Sequence, residues 1–589
     1  MRIVLMLTLT EDYLPLQSLY RWERTRPGRV FLTQPLPHTP SQAKTCATWT
    51  WAQAADEARR MAAFLKRQGW EPGTRVAILS KNCAWWIMAD LAIWMAGYVS
   101  VPIYPSLKAR TVRQILEHSE AKGCFVGATD EKETATEGVP DDLVSIAFPT
   151  ASLDSHPGWN VIIADVPPIA GSPTRPAESL ATIIYTSGTT GLPKGVMHSF
   201  AAFRFNASSL AYSVGLSPDT RALSYLPLAH IMERVVEAVA LFLGWQIFFT
   251  AGLDTFIEDL QRARPTLFIS VPRLLLKFQQ GVFRKMPKAR LEKLLRAPLL
   301  GAYVRRKILR QLGLGHVSVA ASGSAPLPIE ILIWYRGLGL NLAEGFGMTE
   351  TMITHLPRPD AVRPGYVGPA IEGVQTRLSD DGELLIKSPM NMLGYYKDPE
   401  GTEDAFTEDG FFRTGDLAHI AADGQLKIIG RLKEQFKTSK GKYVAPAPIE
   451  GRLMAHPEIE TCCLMGAGLP SPLALVVVSP ETWKRCFEAP ERQAVEETLR
   501  AVMEEVNAEL DPHERLAMIA VVEGPWSIAN GMVTPTLKIR RSALEIHYQS
   551  KLEEWRAQNR PIVWESVPAA RMEAYETMAM PESPVRHSD

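Results

Sequence analysis

The chain has 589 residues, 46% of them hydrophobic and 22% charged, which is typical of a soluble globular protein with room for more than one domain. A formal net charge of −1 argues against a general nucleic-acid binder. The six cysteines include no Cys-x-x-Cys pair, so neither a disulfide framework nor that kind of zinc site is expected, and a reducing, cytoplasmic compartment fits best.

The N-terminal part alternates helical and strand-like patterns. Apolar residues recur at intervals of three and four between Thr48 and Gly69, which predicts an amphipathic helix. The next patterns predict a strand over 75–79, a helix over 84–96, a strand over 98–104, a helix over 113–119 and a strand over 123–127. Such alternation indicates an α/β fold with a doubly wound sheet. Residues 128–178, rich in Pro, Asp and Ser, are predicted to form loops.

A glycine-rich segment, YTSGTTGLPKG at 185–195, follows a short apolar strand. Glycines allow successive backbone N–H groups to face an anion, and hydroxyls and a lysine add further donors. The candidate donors and glycines are Thr186, Ser187, Gly188, Thr189, Thr190, Gly191 and Lys194. This is not a Walker A loop, because Pro193 precedes the lysine and Gly195 follows it. The segment predicts a polyphosphate-binding loop, with a surface linker as the alternative.

The same segment resembles the phosphate loop of the adenylate-forming superfamily, which includes AMP-forming acyl-CoA synthetases, firefly luciferase and peptide-synthetase adenylation domains. Other segments resemble that family's motifs, in the family's order, over nearly the whole chain. The resemblance implies three parts. They are a large N-terminal domain over 1–431 with doubly wound sheets and the ATP and acyl sites, a small mobile C-terminal α+β domain over 432–560, and a tail over 561–589 that is expected to be disordered.

The segment LPLAHIMER at 226–234 resembles the family's LPLxHxxER motif. A histidine at the end of a buried strand lies where α/β proteins place ligands, so the resemblance favours a catalytic-site role for His230 over a structural one. The apolar run from Val235 to Phe249 fits either the protein core or the wall of an acyl tunnel.

From Arg273 to Arg310 the chain is strongly basic, and Glu292 is its only acidic residue there. A solvated helical face is the simplest interpretation. A basic amphipathic segment can also attract anionic lipid headgroups or the phosphates of coenzyme A. Peripheral association of residues 273–310 with the inner face of a membrane is therefore a hypothesis.

Two segments predict contacts to a nucleotide. Gly323 ends a strand-like run and would let a flat base approach the backbone. The segment AEGFGMTET at 343–351 resembles the family's YGxTE signature, with Phe346 in place of the common Tyr, so ring stacking is kept and a hydrogen bond is lost. Thr349 is expected to hold the α-phosphate, and Glu350 with Thr186 to hold Mg²⁺. The other nucleotide-binding candidates of this segment are Glu344, Gly345 and Gly347.

Two more candidates lie towards the end of the N-terminal domain. Asp416 follows a predicted tight Thr-Gly turn, and its two carboxylate oxygens suit a ribose diol. The family's xxTGD motif supports this role. Arg431, in the segment IIGRLKE, can reach the ribose or a phosphate.

The composition changes after Arg431, where a short, charged and Gly-containing segment at 433–442 is typical of a hinge. The resemblance places the pivot of the C-terminal domain at Lys433 and implies that the CoA arm passes Gly441. The segments GRLKE and GKYVAP resemble those of the long-chain acyl-CoA synthetase branch. Residues 435–550 predict a small α+β domain. Lys538, in the frame TPTLKIRR, resembles the adenylation lysine of the family, although a lone lysine is usually a surface residue.

The resemblance implies a ligase with two half-reactions. A carboxylate would attack ATP to give acyl-AMP and pyrophosphate with Mg²⁺ present, and the thiol of coenzyme A would then take the acyl group. The catalytic candidates are Lys538, Thr349, Glu350 and His230. The expected substrate is a medium- or long-chain fatty acid. The alternatives are a ligase that delivers the acyl group to a carrier protein or another acceptor, and a non-catalytic protein that binds a nucleotide or acyl-AMP.

Overall fold

The computed structural model describes residues 13–36, 45–130, 135–151, 157–186, 193–252, 254–486, 489–527, 530–534 and 538–565. The chain divides into two compact units, residues 1–429 and 430–589. Within the described ranges, no helix is long and apolar enough to cross a membrane.

The first unit begins with alternating helices and strands. Its elements up to residue 186 are α1 (Pro15–Thr25), β1 (Val30–Pro35), β2 (Cys46–Thr50), α2 (Trp51–Lys66), β3 (Arg75–Leu79), α3 (Ala84–Ala96), β4 (Val99–Ile103), α4 (Ala109–Ser119), β5 (Gly123–Val126), β6 (Val144–Ala147), α5 (Trp159–Asp165) and β7 (Leu180–Thr186). The helices and strands predicted over 48–127 are all present, with ends shifted by a few residues.

The middle of the first unit contains the basic stretch. Its elements are β8 (Lys194–Ser199), α6 (Phe200–Val214), β9 (Arg221–Ser224), α7 (Ile231–Leu243), β10 (Gln246–Phe249), α8 (Phe256–Ala263), β11 (Leu267–Ser270), α9 (Pro272–Lys285), α10 (Lys288–Arg296), α11 (Pro298–Gln311), β12 (Val319–Ser322) and α12 (Ile329–Gly337). The basic stretch thus forms α9, α10 and α11, which connect the parallel strands β11 and β12.

Mostly short strands complete the first unit. They are β13 (Leu342–Glu344), β14 (Phe346–Met348), β15 (Met352–His355), β16 (Gln375–Leu378), β17 (Glu383–Lys387), β18 (Gly394–Tyr395), the helix α13 (Pro399–Asp404), β19 (Phe412–Ile420) and β20 (Leu426–Arg431), the last of which runs across the boundary between the units.

Two seven-stranded sheets form the centre of the first unit. The first large sheet has the order β13-β12-β11-β9-β10-β1-β2 and the second has the order β18-β8-β7-β4-β3-β5-β6. Most neighbours are parallel, and antiparallel pairs occur at the edges, between β1 and β2 and among β7, β8 and β18. Helices cover these parallel strands, which confirms the predicted α/β class with doubly wound sheets.

Local sequence explains where the central helices begin and end. Thr50 starts α2 through a capping box, in which its hydroxyl accepts from Gln53 N and the Gln53 side chain accepts from Thr50 N. All residues of α3 are buried, so this helix is apolar on every side rather than amphipathic. Gly97 ends α3 in the left-handed region at φ 94°, which a glycine adopts without strain.

The prediction of loops over 128–178 is wrong in part. Strand β6 extends the second large sheet beside β5, with Gly123 opposite Val144. Helix α5 is held by Trp159, which is fully buried and donates its indole N–H to Glu57 Oε2 at 2.9 Å. Burial of a large aromatic residue against the sheet outweighs the loop-like composition of the surrounding segment.

The second unit is a small α+β domain, as predicted. Its elements are β21 (Phe436–Lys437), β22 (Tyr443–Val444), α14 (Pro446–Met454), β23 (Ile459–Met465), β24 (Leu473–Val478), α15 (Pro480–Arg485), α16 (Ala489–Ala508), β25 (Met518–Val521), α17 (Arg541–Ala557) and β26 (Ile562–Trp564). A four-stranded sheet has the order β23-β24-β25-β26. Its last strand, β26, lies within the tail over 561–589 that is expected to be disordered, so that expectation is wrong for these residues, which pair with β25 in the sheet. Alternate strand residues enter two separate cores, with Cys462 in one and Cys463 in the other.

Candidate active site

A largely apolar cavity lies between α6, α7 and the first large sheet. Its unfilled space is about 790 Å³ when the part that is continuous with solvent is counted. Aliphatic side chains from both helices and from strands β11 and β12 form its walls. They are Leu210, Val214, Val235, Val236, Val239, Leu267, Ile269, Val319 and Ala321.

Several predicted site residues line the same cavity. They are His230, Gly323, Gly345, Phe346 and Gly347. Gly323 follows the carboxyl end of β12 and Gly345 follows that of β13, so both lie at the sheet edge where α/β proteins bind ligands. The structure therefore places the candidate base-binding residues next to an apolar channel, a relationship that is not visible in the sequence.

The apolar run from Val235 to Phe249 supplies both core and cavity wall. Val235, Val236 and Val239 line the cavity and also pack in the main core, to which Ala240 and Leu241 on the same helix belong as well. One helix therefore supplies both the cavity wall and part of the core.

His230 is the N-cap residue of α7. Its Nδ1 accepts from Met232 N at 3.2 Å, so a neutral His230 carries its proton on Nε2. The next turn of α7 is tied to the neighbouring helix α3, because Arg234 Nη1 donates to Asp90 Oδ2 at 2.5 Å. Arg234 also pairs with Glu237 Oε2 at 2.8 Å. This buried ion cluster holds the helix that presents His230.

Glu233 lies beside this cluster and has a strongly altered acidity. Burial raises the pKa of Glu233 to about 8, and a hydrogen bond with Ser224 opposes the change only in part. The carboxyl group is therefore largely protonated at neutral pH, which avoids burying an uncompensated charge.

The turn that carries Thr349 and Glu350 is attached to the second large sheet. His198 Nε2 lies 2.6 Å from the carbonyl oxygen of Thr349. Met392 N donates to the carbonyl oxygen of Glu350 at 2.7 Å, and Tyr395 Oη donates to Glu350 Oε1 at 3.1 Å. The backbone and side chain of the predicted Mg²⁺ ligand are thus both held in place.

Lys194 and Thr186 lie at the two ends of the phosphate-loop segment. They are paired across the antiparallel strands β7 and β8. Lys194 Nζ lies 4.5 Å from the ring centroid of Tyr395 and 3.5 Å from Asp398 Oδ2. Because Tyr395 also contacts Glu350, the structure brings Lys194 and Glu350 to one place. The remaining loop candidates lie outside the described residues, and they are Ser187, Gly188, Thr189, Thr190 and Gly191.

A close backbone contact requires the glycine at position 347. A Cβ atom on Gly347 would lie 2.2 Å from Met352 O, whereas one on Gly323 would lie 3.0 Å from Met232 Cε, the end of a flexible side chain. Glu344 accepts from Leu327 N at 2.8 Å, and its burial raises its pKa to about 7. This contact braces the loop that follows Gly323, and nucleotide binding by Glu344 stays a prediction.

Asp416 is buried in strand β19, so the expected tight Thr-Gly turn is not found. Strands β17 and β19 pair on both sides of this point, and their register shifts between Glu383 and Leu385. Gly415 takes φ 69° and donates its N–H to Glu383 Oε1 at 2.8 Å. The bend is therefore a bulge within a strand, in which β19 has two residues more than β17 and a glycine allows the turn of the backbone.

The second unit carries the other predicted residues. Arg431 ends β20, Lys433 lies in a single 3₁₀ turn over Leu432–Glu434, and Gly441 lies in the β21–β22 hairpin at φ 74°. Lys538 is exposed, and its backbone N–H donates to Thr534 Oγ1 at 3.1 Å. The roles of these residues in catalysis remain predictions.

Two residues at the site were not selected from the sequence, His198 and Tyr395. His198 follows Lys194 by four positions on one strand, so the period of two places both on the same face, and this signal could have identified it. Tyr395 comes from β18, about 200 residues later in the chain, and only the pairing of β18 with β8 brings it close.

Comparison with known proteins agrees with this arrangement. Residues 19–396 match the family model described as AMP-binding enzyme, and residues 433–560 match the one described as AMP-binding enzyme C-terminal domain. The chain belongs to the AMP-binding enzyme family. The predicted membership of the adenylate-forming superfamily is thereby confirmed.

This AMP-binding enzyme is similar to curated long-chain fatty-acid ligases. It is 30% identical to the long-chain-fatty-acid–CoA ligase FadD15 of Mycobacterium bovis, over 86% of this chain and 91% of that protein. It is 29% identical to long-chain-fatty-acid–CoA ligase 1 of Homo sapiens, over 86% of this chain and 82% of that protein. The predicted likeness to the long-chain branch is therefore also confirmed.

Solved structures show the same fold in enzymes with other substrates. The adenylation domain of a carboxylate reductase from Mycobacterium chelonae aligns with a TM-score of 0.77 at 25% identity, over 93% of this chain and 92% of that one. The anthranilate CoA ligase AuaEII in complex with anthranoyl-AMP aligns with a TM-score of 0.76 at 22% identity, over 93% of this chain and 99% of that one. The second likeness supports the fold alone.

Proposed function

We propose that this AMP-binding enzyme activates a medium- or long-chain fatty acid with ATP and transfers the acyl group to coenzyme A. The observation that carries the proposal is the apolar cavity between α6, α7 and the first large sheet, whose lining includes the candidate nucleotide-binding residues Gly323, Gly345 and Phe346. The curated relatives named as long-chain-fatty-acid–CoA ligases support the same substrate class.

The length of the cavity lining suits an alkyl chain. Its lining extends along α7 from His230 to Val239, nine residues that rise about 13 Å. Along β12 it extends from Val319 to Gly323, four steps that also rise about 13 Å. An extended chain covers that distance with about eleven backbone atoms, so the lining matches the length of about ten carbons of a fatty acid.

Two of the lining residues suit a carboxylate and a nucleotide. His230 and Phe346 both line the cavity, and in the proposal His230 faces the carboxylate and the Phe346 ring stacks on adenine. Thr186, Lys194 and the loop at 187–191 would hold the phosphates, and Asp416 with Arg431 would hold the ribose. Catalysis then consists mainly of positioning and charge neutralisation around the α-phosphorus.

The residues around Glu350 fit a magnesium ion that enters with ATP. Among the described residues, no group of three or more His, Cys, Asp or Glu side chains could hold a metal alone. Mg²⁺ normally uses one or two carboxylates together with substrate phosphates and water, so Glu350 and the Thr186 hydroxyl are sufficient protein ligands. When bound, the ion would neutralise phosphate charge.

The second unit would act in both half-reactions. In the proposal, Lys538 stabilises the α-phosphate during adenylation, and rotation about Lys433 then brings Gly441 to the CoA channel. Lys538→Ala should abolish pyrophosphate exchange but leave thioester formation from preformed acyl-AMP largely intact. Lys66→Ala on the exposed side of α2 is the matched control and should change neither. Equal loss of both half-reactions in folded Lys538→Ala would refute this role for Lys538.

Acyl-CoA formation with ATP, Mg²⁺ and CoA across carboxylates from acetate to oleate tests the main proposal. An optimum at medium or long chains is the expected result. An optimum at acetate or at aromatic acids would contradict the fatty-acid assignment.

A second candidate has support from the fold comparison, since the adenylation domain of a carboxylate reductase is 25% identical to this chain. In that case the enzyme would deliver the acyl group to an acceptor other than CoA. Pyrophosphate release without acyl-CoA would favour this alternative. Absence of any pyrophosphate release with every acid would favour a non-catalytic binding protein.

A further inference from the structure

An exposed apolar cluster lies at the start of α11, within the basic stretch. The side chains of Leu299, Leu300 and Tyr303 are 89%, 49% and 63% exposed. Positions 299, 300 and 303 are helical neighbours, so the three side chains form one patch, called here the apolar tip. Isolated exposed leucines are common, but adjacent ones beside an exposed tyrosine indicate a contact surface.

The same face of α11 continues as a basic surface. Arg306 and Lys307 follow Tyr303 by three and four residues on α11, and Arg296 is the last residue of α10, two positions before α11 begins at Pro298. Lys293 lies one turn before Arg296 on α10. These four exposed cations are called here the cationic flank, and within the described part of the chain none of them forms an ion pair with a carboxylate.

The side of helices α10 and α11 opposite the apolar tip is packed against the protein. The exposed residues of the tip are therefore not part of a loosely packed core. Leu291 and Ile308 are buried with Leu338 in a small core. Arg305 Nη2 donates to Leu295 O at 2.7 Å and Arg305 Nε donates to Gly337 O at 3.0 Å. Helix α11 therefore presents a fixed outer face in which apolar and cationic groups are separated along its length.

We propose that the apolar tip and the cationic flank form a membrane-docking surface for anionic phospholipids. Leucine and tyrosine side chains would enter the boundary between headgroups and acyl chains, and the cations would contact the phosphates around them. Charge complementarity argues for this occupant: Glu292 is the only acid between Arg273 and Arg310, so the surface carries a local positive charge although the whole chain has a net charge of −1.

The docking surface lies on the opposite face of the first large sheet from the cavity. Leu267 and Ile269 of β11 line the cavity, whereas Phe268 between them packs in the other core with Leu275 and Phe278 of α9. Docking would therefore hold the enzyme at a lipid surface without covering the cavity wall, and it does not depend on the proposed substrate.

Co-sedimentation of the full chain with vesicles tests the proposal. Vesicles of phosphatidylcholine alone are compared with vesicles of phosphatidylcholine mixed with phosphatidylglycerol, at low and at high ionic strength. The expected result is binding to the anionic vesicles that weakens with salt. Neutralising one cation near such a surface costs about fivefold in partitioning, so Arg306→Gln with Lys307→Gln should lose more than tenfold. Leu299→Gln with Leu300→Gln should also lose at least about tenfold, on both kinds of vesicle.

Matched controls separate docking from general surface effects. Ile546→Gln removes an aliphatic side chain that is 77% exposed on α17, and Arg110→Gln with Arg113→Gln removes two exposed cations on α4. Neither control should change vesicle binding. Melting temperature and acyl-CoA formation without vesicles should be unchanged in all variants. Equal binding to neutral and anionic vesicles, or equal loss in tip and control variants, would overturn the proposal. Self-association of the protein through the apolar tip in solution, without binding to vesicles, would also overturn the proposal.

Discussion

His198 Nε2 lies 2.6 Å from the carbonyl oxygen of Thr349, which joins strand β8 to the turn that carries Glu350. His198 is fully buried, and burial lowers its pKa to about 4. The ring is therefore neutral at physiological pH, and its Nε2–H donates to the carbonyl. Strand β8 begins at Lys194, so one strand connects the end of the phosphate loop to the predicted metal ligand.

His198→Ala should impair adenylation without weakening the binding of a fatty acid in the acyl cavity. A buried carbonyl without its donor costs about 1–3 kcal/mol, and the turn with Thr349 and Glu350 should loosen. Pyrophosphate exchange should show a raised KM for ATP and a lowered kcat, while binding of a fatty acid stays nearly unchanged. His198→Gln keeps an N–H donor and should recover part of the activity. If Gln behaves like Ala while both variants melt like the wild type, the hydrogen bond has no role in catalysis.

Glu233 should give the protein a measurable dependence of stability on pH. Its pKa is raised from 4.5 to about 8 in the folded state, so between these values the folded protein binds more protons than the unfolded chain. Its contribution to stability is complete below pH 4.5 and is lost as the pH rises to about 8. Denaturant unfolding across this window should show a smaller decrease for Glu233→Gln than for the wild type, by a few kcal/mol at most.

Glu233→Gln acts on position 233 and on one neighbour. The charge of Glu233 also raises the pKa of Glu237, so the substitution lowers that pKa, and the difference between the two curves reports on positions 233 and 237 together. Parallel curves for wild type and variant would show that Glu233 is ionised in the folded protein.

The central helices and strands were predictable because the residue pattern of each one indicates, without knowledge of its neighbours, that it is buried. Strand β3 reads RVAIL and helix α3 is apolar at nearly every position, and each pattern allows few alternatives. The segment with α5 was missed, since one buried tryptophan decides its conformation. The bulge at Gly415 was also missed, because it depends on pairing with a strand about 30 residues earlier.

The candidate site also contains some residues that could be identified from the sequence and others that could not. Motif residues such as His230, Gly323 and Phe346 could be selected from short segments, and the structure places them on one cavity. The walls of that cavity could not be predicted, because Leu210 of α6 and Leu267 of β11 come to line one cavity only in the folded chain. An ordinary aliphatic residue carries no local sign that it faces a ligand.

Val239 should limit the length of the acyl chain. It lies nine residues after His230 on the wall of the cavity and is 2% exposed. A phenylalanine there would fill the far part of the channel, so Val239→Phe should reduce kcat/KM for palmitate at least tenfold and leave activity on butyrate nearly unchanged. Added bulk in a packed region costs about 1–3 kcal/mol, so the melting temperature should fall moderately.

Val239→Ala is the matched control for chain length. It enlarges the channel and should keep or extend activity on long chains, with a modest loss of stability. An unchanged profile of chain lengths in well-folded Val239→Phe would show that the acyl chain binds elsewhere.

Gly441→Ala should slow thioester formation more than adenylation. Gly441 takes φ 74° and a Cβ atom there would meet no other atom within 4 Å, so the substitution brings only conformational strain of about 1 kcal/mol in the free protein. Gly424, in the turn between β19 and β20, has φ 79° and equally open surroundings. Gly424→Ala therefore reproduces the strain without touching the proposed CoA channel. Single-turnover transfer from preformed acyl-AMP to CoA should fall in Gly441→Ala and stay normal in Gly424→Ala, with equal melting temperatures. If both variants transfer equally fast, close approach of CoA to Gly441 is excluded, because a methyl group in its path would block the thiol from the acyl carbonyl.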